Sequence, residues 1–224
     1  MSVLLNTLWS WTPAARLRQW CTFGLFISSA LVVGPPAAMA QIDLLKDCQH
    51  YEHSERAINA CTELLRVLPD AAPVYNHRGI AYMQRGEWAR AIADYTEAIR
   101  LSPRDAWPHY NRGRALLEQN DFASAIEDFT QAIARRGNNA LAYNGRAWAY
   151  YKLSKLDEAM QDVNRALALD PAYAAAFDTR GHLYEALGKR AEAIADLRHA
   201  LKLDPANPLA HITREALQRL GAER

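Results

Sequence analysis

The sequence predicts an all-α fold, a solenoid of four stacked helix-turn-helix units of 34 residues with capping helices at its ends. Three observations carry this. Small residues recur at one step, as Gly79, Gly113, Ala147 and Gly181 and again as Ala91, Ala125, Ala159 and Ala193. Larger side chains keep that step at Tyr95, Phe129, Val163 and Leu197, each followed three residues on by Ala98, Ala132, Ala166 and Ala200. Pro103, Gly137, Pro171 and Pro205 punctuate the series. A sustained period of this size marks a unit that cannot bury its apolar face alone and must stack on copies of itself.

Residues 1–40 read as a cleavable secretory signal. Arg16 and Arg18 precede an apolar stretch, residues 23–33, which leads to Ala38-Met39-Ala40. This is the order of charged region, apolar core and small-x-small cleavage site. The stretch falls short of the ~20 apolar residues a membrane span needs, so the mature chain is expected to begin at Gln41 without a span. An uncleaved anchor is the alternative.

Residues 41–71 form an N-terminal cap. Ala57, Ile58, Cys61, Leu64 and Leu65 are in phase with the second helix of a unit, whereas residues 41–53 match a first helix poorly. The four units occupy 72–105, 106–139, 140–173 and 174–207. In the first, Tyr75, Gly79 and Tyr82 make one helical stripe and Trp88, Ala91, Ile92, Tyr95 and Ala98 the other, with a turn near Gly86. Proline cannot continue a helix, so the second helix ends before Pro103. Asp70, Asp105, Asn139 and Asn207 stand where N-caps open the following helix, and Tyr173 breaks that rule. Residues 208–224, with Leu209, Ile212, Ala216, Leu217 and Leu220, form one closing helix.

Opposite charges repeat as well: Arg78, Arg112, Arg146, Arg180 and Arg214 on first helices, Asp94, Asp128, Asp162 and Asp196 on second helices. A guanidinium fork on each carboxylate would satisfy both charges where they are buried and fix the stacking register. Arg214 has no second helix of its own, which favours pairing between units, Arg214 with Asp196 and Arg146 with Asp128.

The order of small residues, aromatic and terminal proline resembles the tetratricopeptide repeat family, with Gly137 and Ala147 as departures from its pattern. The resemblance implies a right-handed solenoid whose first helices build a concave wall that binds a partner protein's segment. On that wall fall Asn76, then Trp107, Tyr110 and Arg114, then Asn144, Trp148, Tyr151 and Lys152. Trp, Tyr and Arg are the types that most often carry interface energy. The family's clamp for acidic chaperone tails is not reproduced: Asn111 fits one place, but Ile80, Leu141 and Gly145 occupy others.

Within the family the cap resembles that of exported bacterial proteins with a paired-cysteine cap, which implies a Cys48–Cys61 disulfide. From the residues alone three states stay open: a bridge, two packed thiols, or zinc held by Cys48, His50, His53 and Cys61. A bridge requires the chain around residues 50–53 to turn back rather than extend an ordinary antiparallel hairpin, because cysteines far apart along helix axes exceed the ~7 Å Cα limit.

The signal removes two of the 26 basic residues and none of the 25 acidic ones, leaving 24 against 25. Without a basic stripe, nucleic acid is not an expected partner. No Gly-rich phosphate loop, nucleophile elbow or His-Glu-x-x-His run is present, so neither catalysis nor a cofactor or resident metal is expected. The expectation is an adaptor or scaffold of the cell envelope, periplasmic or secreted, of a Gram-negative bacterium, monomeric or weakly oligomeric. A self-assembling structural module of the periplasm is the alternative.

Overall fold

The computed structural model describes residues 35–50, 53–208 and 210–222, with side chains from residue 42 onward. The proposed leader up to residue 34 lies outside these residues, and the bond at the expected cleavage site, Ala40–Gln41, falls within the first helix.

Eleven helices and no strand occur among the described residues. They are α1 (Pro35–Gln49), α2 (Ser54–Val67), α3 (Ala72–Gln84), α4 (Trp88–Leu101), α5 (Ala106–Glu118), α6 (Phe122–Arg135), α7 (Ala140–Lys152), α8 (Leu156–Leu169), α9 (Ala174–Ala186), α10 (Arg190–Leu203) and α11 (Ala210–Arg219). From residue 40 on the chain is one compact unit. Helices α3 to α10 make four hairpins, α3/α4, α5/α6, α7/α8 and α9/α10, and each second helix also packs on the first helix of the following hairpin. Successive first helices α3, α5, α7 and α9 touch one another, whereas successive second helices approach far less closely. The first helices therefore form the inner wall of an α-solenoid.

Size complementarity closes each hairpin. A Cβ placed on Gly79 would lie 2.5 Å from the Tyr95 ring, and one on Gly181 2.7 Å from Leu197 Cγ. Phe129 is flanked twice: a Cβ on Gly113 would meet its ring at 3.0 Å and one on Gly145, in the next hairpin, at 2.6 Å. The third hairpin departs on both sides at once, with Ala147 in place of glycine and Val163 as the smallest of the four opposing side chains; both are fully buried. One extra methyl is matched by one smaller partner.

The turns share a left-handed residue at the same step: Gly86 (φ 71°), Asn120 (59°), Ser154 (58°) and Gly188 (72°). Asp105 and Asn139 cap their helices, accepting hydrogen bonds from Trp107 N at 3.0 Å and Ala142 N at 3.1 Å. Asp70 does not, because the cap position of α3 falls one residue later, on Ala71.

At the N-terminal end Cys48 and Cys61 are bridged, with Cα atoms 4.8 Å apart. Helix α1 ends at Gln49, so Cys48 lies in its last turn, and Cys61 stands in the middle of α2. Leu44 and the buried cysteines pack with Ala60, Leu64 and Val74. The bridge closes a 13-residue separation, and loops of that size contribute ~2–4 kcal/mol by restricting the unfolded chain. Zinc and free thiols are thereby excluded in this state, since both sulfurs are consumed. At the other end α11 lays Ala216 and Leu217 on Leu197, while Arg190 and Arg198 donate to the carbonyls of Leu220 and Ala222.

Candidate protein-binding site

The charge ladder runs within hairpins. Each arginine forks onto the aspartate 16 residues ahead: Arg78 on Asp94 (2.8 and 2.8 Å), Arg112 on Asp128 (2.7 and 2.8 Å), Arg146 on Asp162 (2.7 and 2.8 Å) and Arg180 on Asp196 (2.6 and 3.1 Å). The expected pairing between units is corrected on this point. The third nitrogen crosses to the preceding second helix and donates to Thr62, Thr96, Thr130 and Asn164 at 2.9–3.2 Å. Arg214 drops out of the ladder: Asp196 is taken by Arg180, the position that offers Thr or Asn elsewhere is Arg198, and Arg214 is exposed.

Aromatics of the same helix sandwich three of the four guanidiniums. Arg78 lies over Tyr75 and Tyr82, Arg146 over Tyr143 and Tyr150, and Arg180 over Phe177 and Tyr184, all 5.3–6.0 Å from the ring centroids. The second hairpin carries His109 and Leu116 there instead, and His109 Nδ1 sits 3.2 Å from Asp128 Oδ1. Burial alone would push the Asp128 carboxyl up, but hydrogen bonds from Arg112 and His109 prevail and hold it below the usual carboxylate range.

The inner wall repeats nothing of this. Its first part is a stack on α5: Trp107, 41% exposed, meets Tyr110 edge-on at 5.8 Å, and Tyr110 leans on Phe129 at 6.0 Å. Arg114 covers Tyr110 at 5.9 Å and Arg136 covers Trp107 at 5.7 Å. Trp107 and Arg136 border a cleft of about 190 Å³ with Asn138 and Leu141. The second part lies on α7 and α9, where Trp148, Tyr151 and His182 form a triangle with centroids 5.2, 5.9 and 6.4 Å apart. Lys152 sits over Trp148 at 5.7 Å. His182 is buried between Asp178 (3.7 Å) and Glu185 (3.5 Å), and Glu185 in turn pairs with Arg219.

Both asparagines on the wall are engaged more deeply than an open groove requires. Asn76 accepts from Asn111 of the next hairpin at 3.0 Å, a lateral link matched near the far end by Thr213 donating to Asp178 at 2.6 Å. Asn144 is 9% exposed; its amide is hydrogen-bonded to the Tyr173 hydroxyl, and its carbonyl oxygen has no protein partner. Tyr173 provides no side-chain cap for α9. Its ring packs with Tyr143, Ala147 and Phe177, and burial raises its hydroxyl well above the ordinary tyrosine range. Sequence reasoning missed this residue and Arg136, and the only signal was Tyr173's departure from the capping rule.

Profiles described as TPR repeat and tetratricopeptide repeat match residues 79–120, 110–174 and 145–218. The first TPR domain of human RPAP3 is 30% identical over 54% of this chain and 95% of that one, with TM-score 0.52. The chain belongs to the tetratricopeptide repeat family. MamA (25% identity, 68% of this chain and 89% of that one, TM-score 0.61) shares the solenoid. So does YrrB, a TPR protein with an unusual peptide-binding site (22%, 78% and 90%, 0.61), where the likeness is of fold alone. Comparison with curated proteins gave no match. The fold is that of a protein–protein interaction scaffold, and no described helix is long and apolar enough to cross a membrane.

Proposed function

We propose that this tetratricopeptide repeat protein is a non-catalytic adaptor of the bacterial cell envelope that holds an acidic, extended segment of a partner protein along its inner wall. The carrying observation is the state of three cations. Among the described residues Arg114, Arg136 and Lys152 make no ion pair; each sits on the face of a wall aromatic, Tyr110, Trp107 or Trp148. The ladder arginines, by contrast, are all neutralised. Cations ordered on aromatic rings and left without carboxylates suit a ligand that brings its own. The buried disulfide and the leader-like first 40 residues support export to an oxidising compartment.

The test is capture from envelope extracts with the wild type and with Tyr110→Ala/Trp148→Ala. Truncating an anchor aromatic typically costs ~2 kcal/mol or more, roughly 30-fold in affinity, so the double variant should lose the partner while keeping its helical circular dichroism. Normal capture by the folded variant would move the site to the second helices. N-terminal sequencing of the native protein checks export, with Gln41 the expected first residue.

A further inference from the structure

The two ends of the solenoid are finished differently. At the C-terminal end α11 stands where a fifth first helix would, and Glu215 takes the step held by Gly79, Gly113, Ala147 and Gly181. Glu215 and its neighbours Arg214 and Gln218 are exposed, so the face that would receive another second helix is polar. Terminal units of a solenoid need such a face to stay soluble. The N-terminal end lacks it. Ile42 and Leu45 on α1, with Val67 and Leu68 at the C-terminal end of α2, are 42–57% exposed, more than any other large apolar side chain among the described residues. Ile42 and Leu45 are three residues apart and share one face of α1. Leu44 and Cys48 instead enter the cluster that contains Cys61 and Leu64. The bridge from Cys48 to Cys61 thereby pins α1 with Ile42 and Leu45 outward, which lowers the cost of ordering that face on contact.

Charge narrows what can cover it. Asp43 and Lys46 pair at 3.5 Å on α1, and Glu63 and Arg66 at 2.8 Å on α2. The rim therefore holds both signs in equal number. A strongly charged partner finds no complement there, whereas a second copy brings the same balanced set.

We propose that this face pairs two copies of the chain cap to cap. In antiparallel copies of α1 about a two-fold axis, Ile42 meets Leu45 of the second copy and Asp43 approaches Lys46 of the second copy, each contact occurring twice. Val67 and Leu68 extend the apolar area. The wall aromatics lie on α5 and α7, so the pairing does not rest on the inner-wall reading. It joins two inner walls in one assembly and makes the adaptor bivalent.

Light scattering and sedimentation equilibrium of the native, oxidised protein should show a concentration-dependent equilibrium between monomer and dimer. Ile42→Glu and Leu45→Glu should each weaken the dimer at least ~tenfold, because each substitution acts on both sides of the axis and puts a carboxylate into an apolar contact. Asp43→Lys and Lys46→Asp, at exposed positions that leave the fold intact, should each weaken it ~tenfold alone, through like charges facing across the axis. Mixed together, these two variants should recover a heterodimer. Ile212→Glu, at the C-terminal end, should leave the equilibrium unchanged. A wild type that is monomeric at every concentration overturns the pairing, and binding of that monomer to phosphatidylglycerol vesicles would name a bilayer as the occupant instead. An assembly larger than two, a dimer that either the apolar or the charge substitutions leave unchanged, or one lost in Ile212→Glu overturns it as well.

Discussion

Two surfaces of the first helices carry opposite kinds of order. The seam they share with the second helices repeats itself in every hairpin: a small residue against a large one, an arginine fork on an aspartate, a left-handed residue at the turn. The inner wall repeats little; of Asn76, Tyr110, Asn144 and Asp178, which occupy one register there, only Asn76 and Asp178 share a role, each accepting from the residue 35 positions ahead. Stacking copies requires the same contact each time, so the seam is constrained by every neighbour at once. A wall facing solvent is released from that demand, and its side chains can be fitted to something outside the chain.

The largest expected effect tests the seam. Arg146→Ala leaves Asp162, whose side chain is 10% exposed, without its fork, and breaking such a pair costs ~3 kcal/mol. A double-mutant cycle should couple Arg146 to Asp162 by more than ~1 kcal/mol and to Asp128 by almost nothing. Coupling to Asp128 instead would restore the pairing between units. The same seam predicts a pH dependence. Asp128 is held below the carboxylate range in the folded state, so its contribution is complete above about pH 4, the unfolded value, and is lost as pH falls through the folded one. In Asp128→Asn this acid-side slope of the denaturation midpoint should shrink.

Legibility divides along the same line. The hairpins, their junctions and the members of the ladder up to Arg180 could be read from the sequence because repetition multiplies a weak signal fourfold. The direction of the ladder could not, because a period does not say whether an arginine serves the aspartate ahead or the one behind. Arg214 on the unpaired last helix pointed the wrong way, and Thr62, Thr96 and Thr130, which make the crossing contact, look like ordinary surface residues in sequence. Tyr173 and Arg136 were invisible as wall residues for the opposite reason: each occurs once, and only folding brings it to Asn144 or Trp107.

A second prediction sharpens the comparison by moving one hairpin's solution into another. Gly181→Ala gains up to ~1 kcal/mol of helix propensity but drives its Cβ toward Leu197 Cγ, 2.7 Å away, and overpacking costs ~1–3 kcal/mol. The net should be a loss of ~1 kcal/mol in chemical denaturation. Leu197→Val alone should also destabilise, by ~1 kcal/mol. Together they recreate the Ala147 and Val163 pair of the third hairpin, and the double variant should recover at least ~1 kcal/mol relative to the sum. Simple additivity would mean that the matched sizes of the third hairpin are coincidence.

The smallest effect lies at the turns and tests how far the seam's rule extends. Ser154 adopts φ 58° where Gly86 and Gly188 hold the same place, and Asn120 is the one other side chain there. A left-handed backbone costs a residue with a Cβ ~1 kcal/mol or more relative to glycine. Part of that returns when glycine is introduced, because glycine also gains freedom in the unfolded chain. Ser154→Gly should therefore stabilise the protein by ~0.5 kcal/mol, a rise of a degree or two in Tm. Asn120→Gly should gain less, because asparagine tolerates this region better. Should Ser154→Gly instead lower stability, the serine makes a contact that outweighs its strain, and the third turn belongs with the individually fitted wall rather than with the repeated seam.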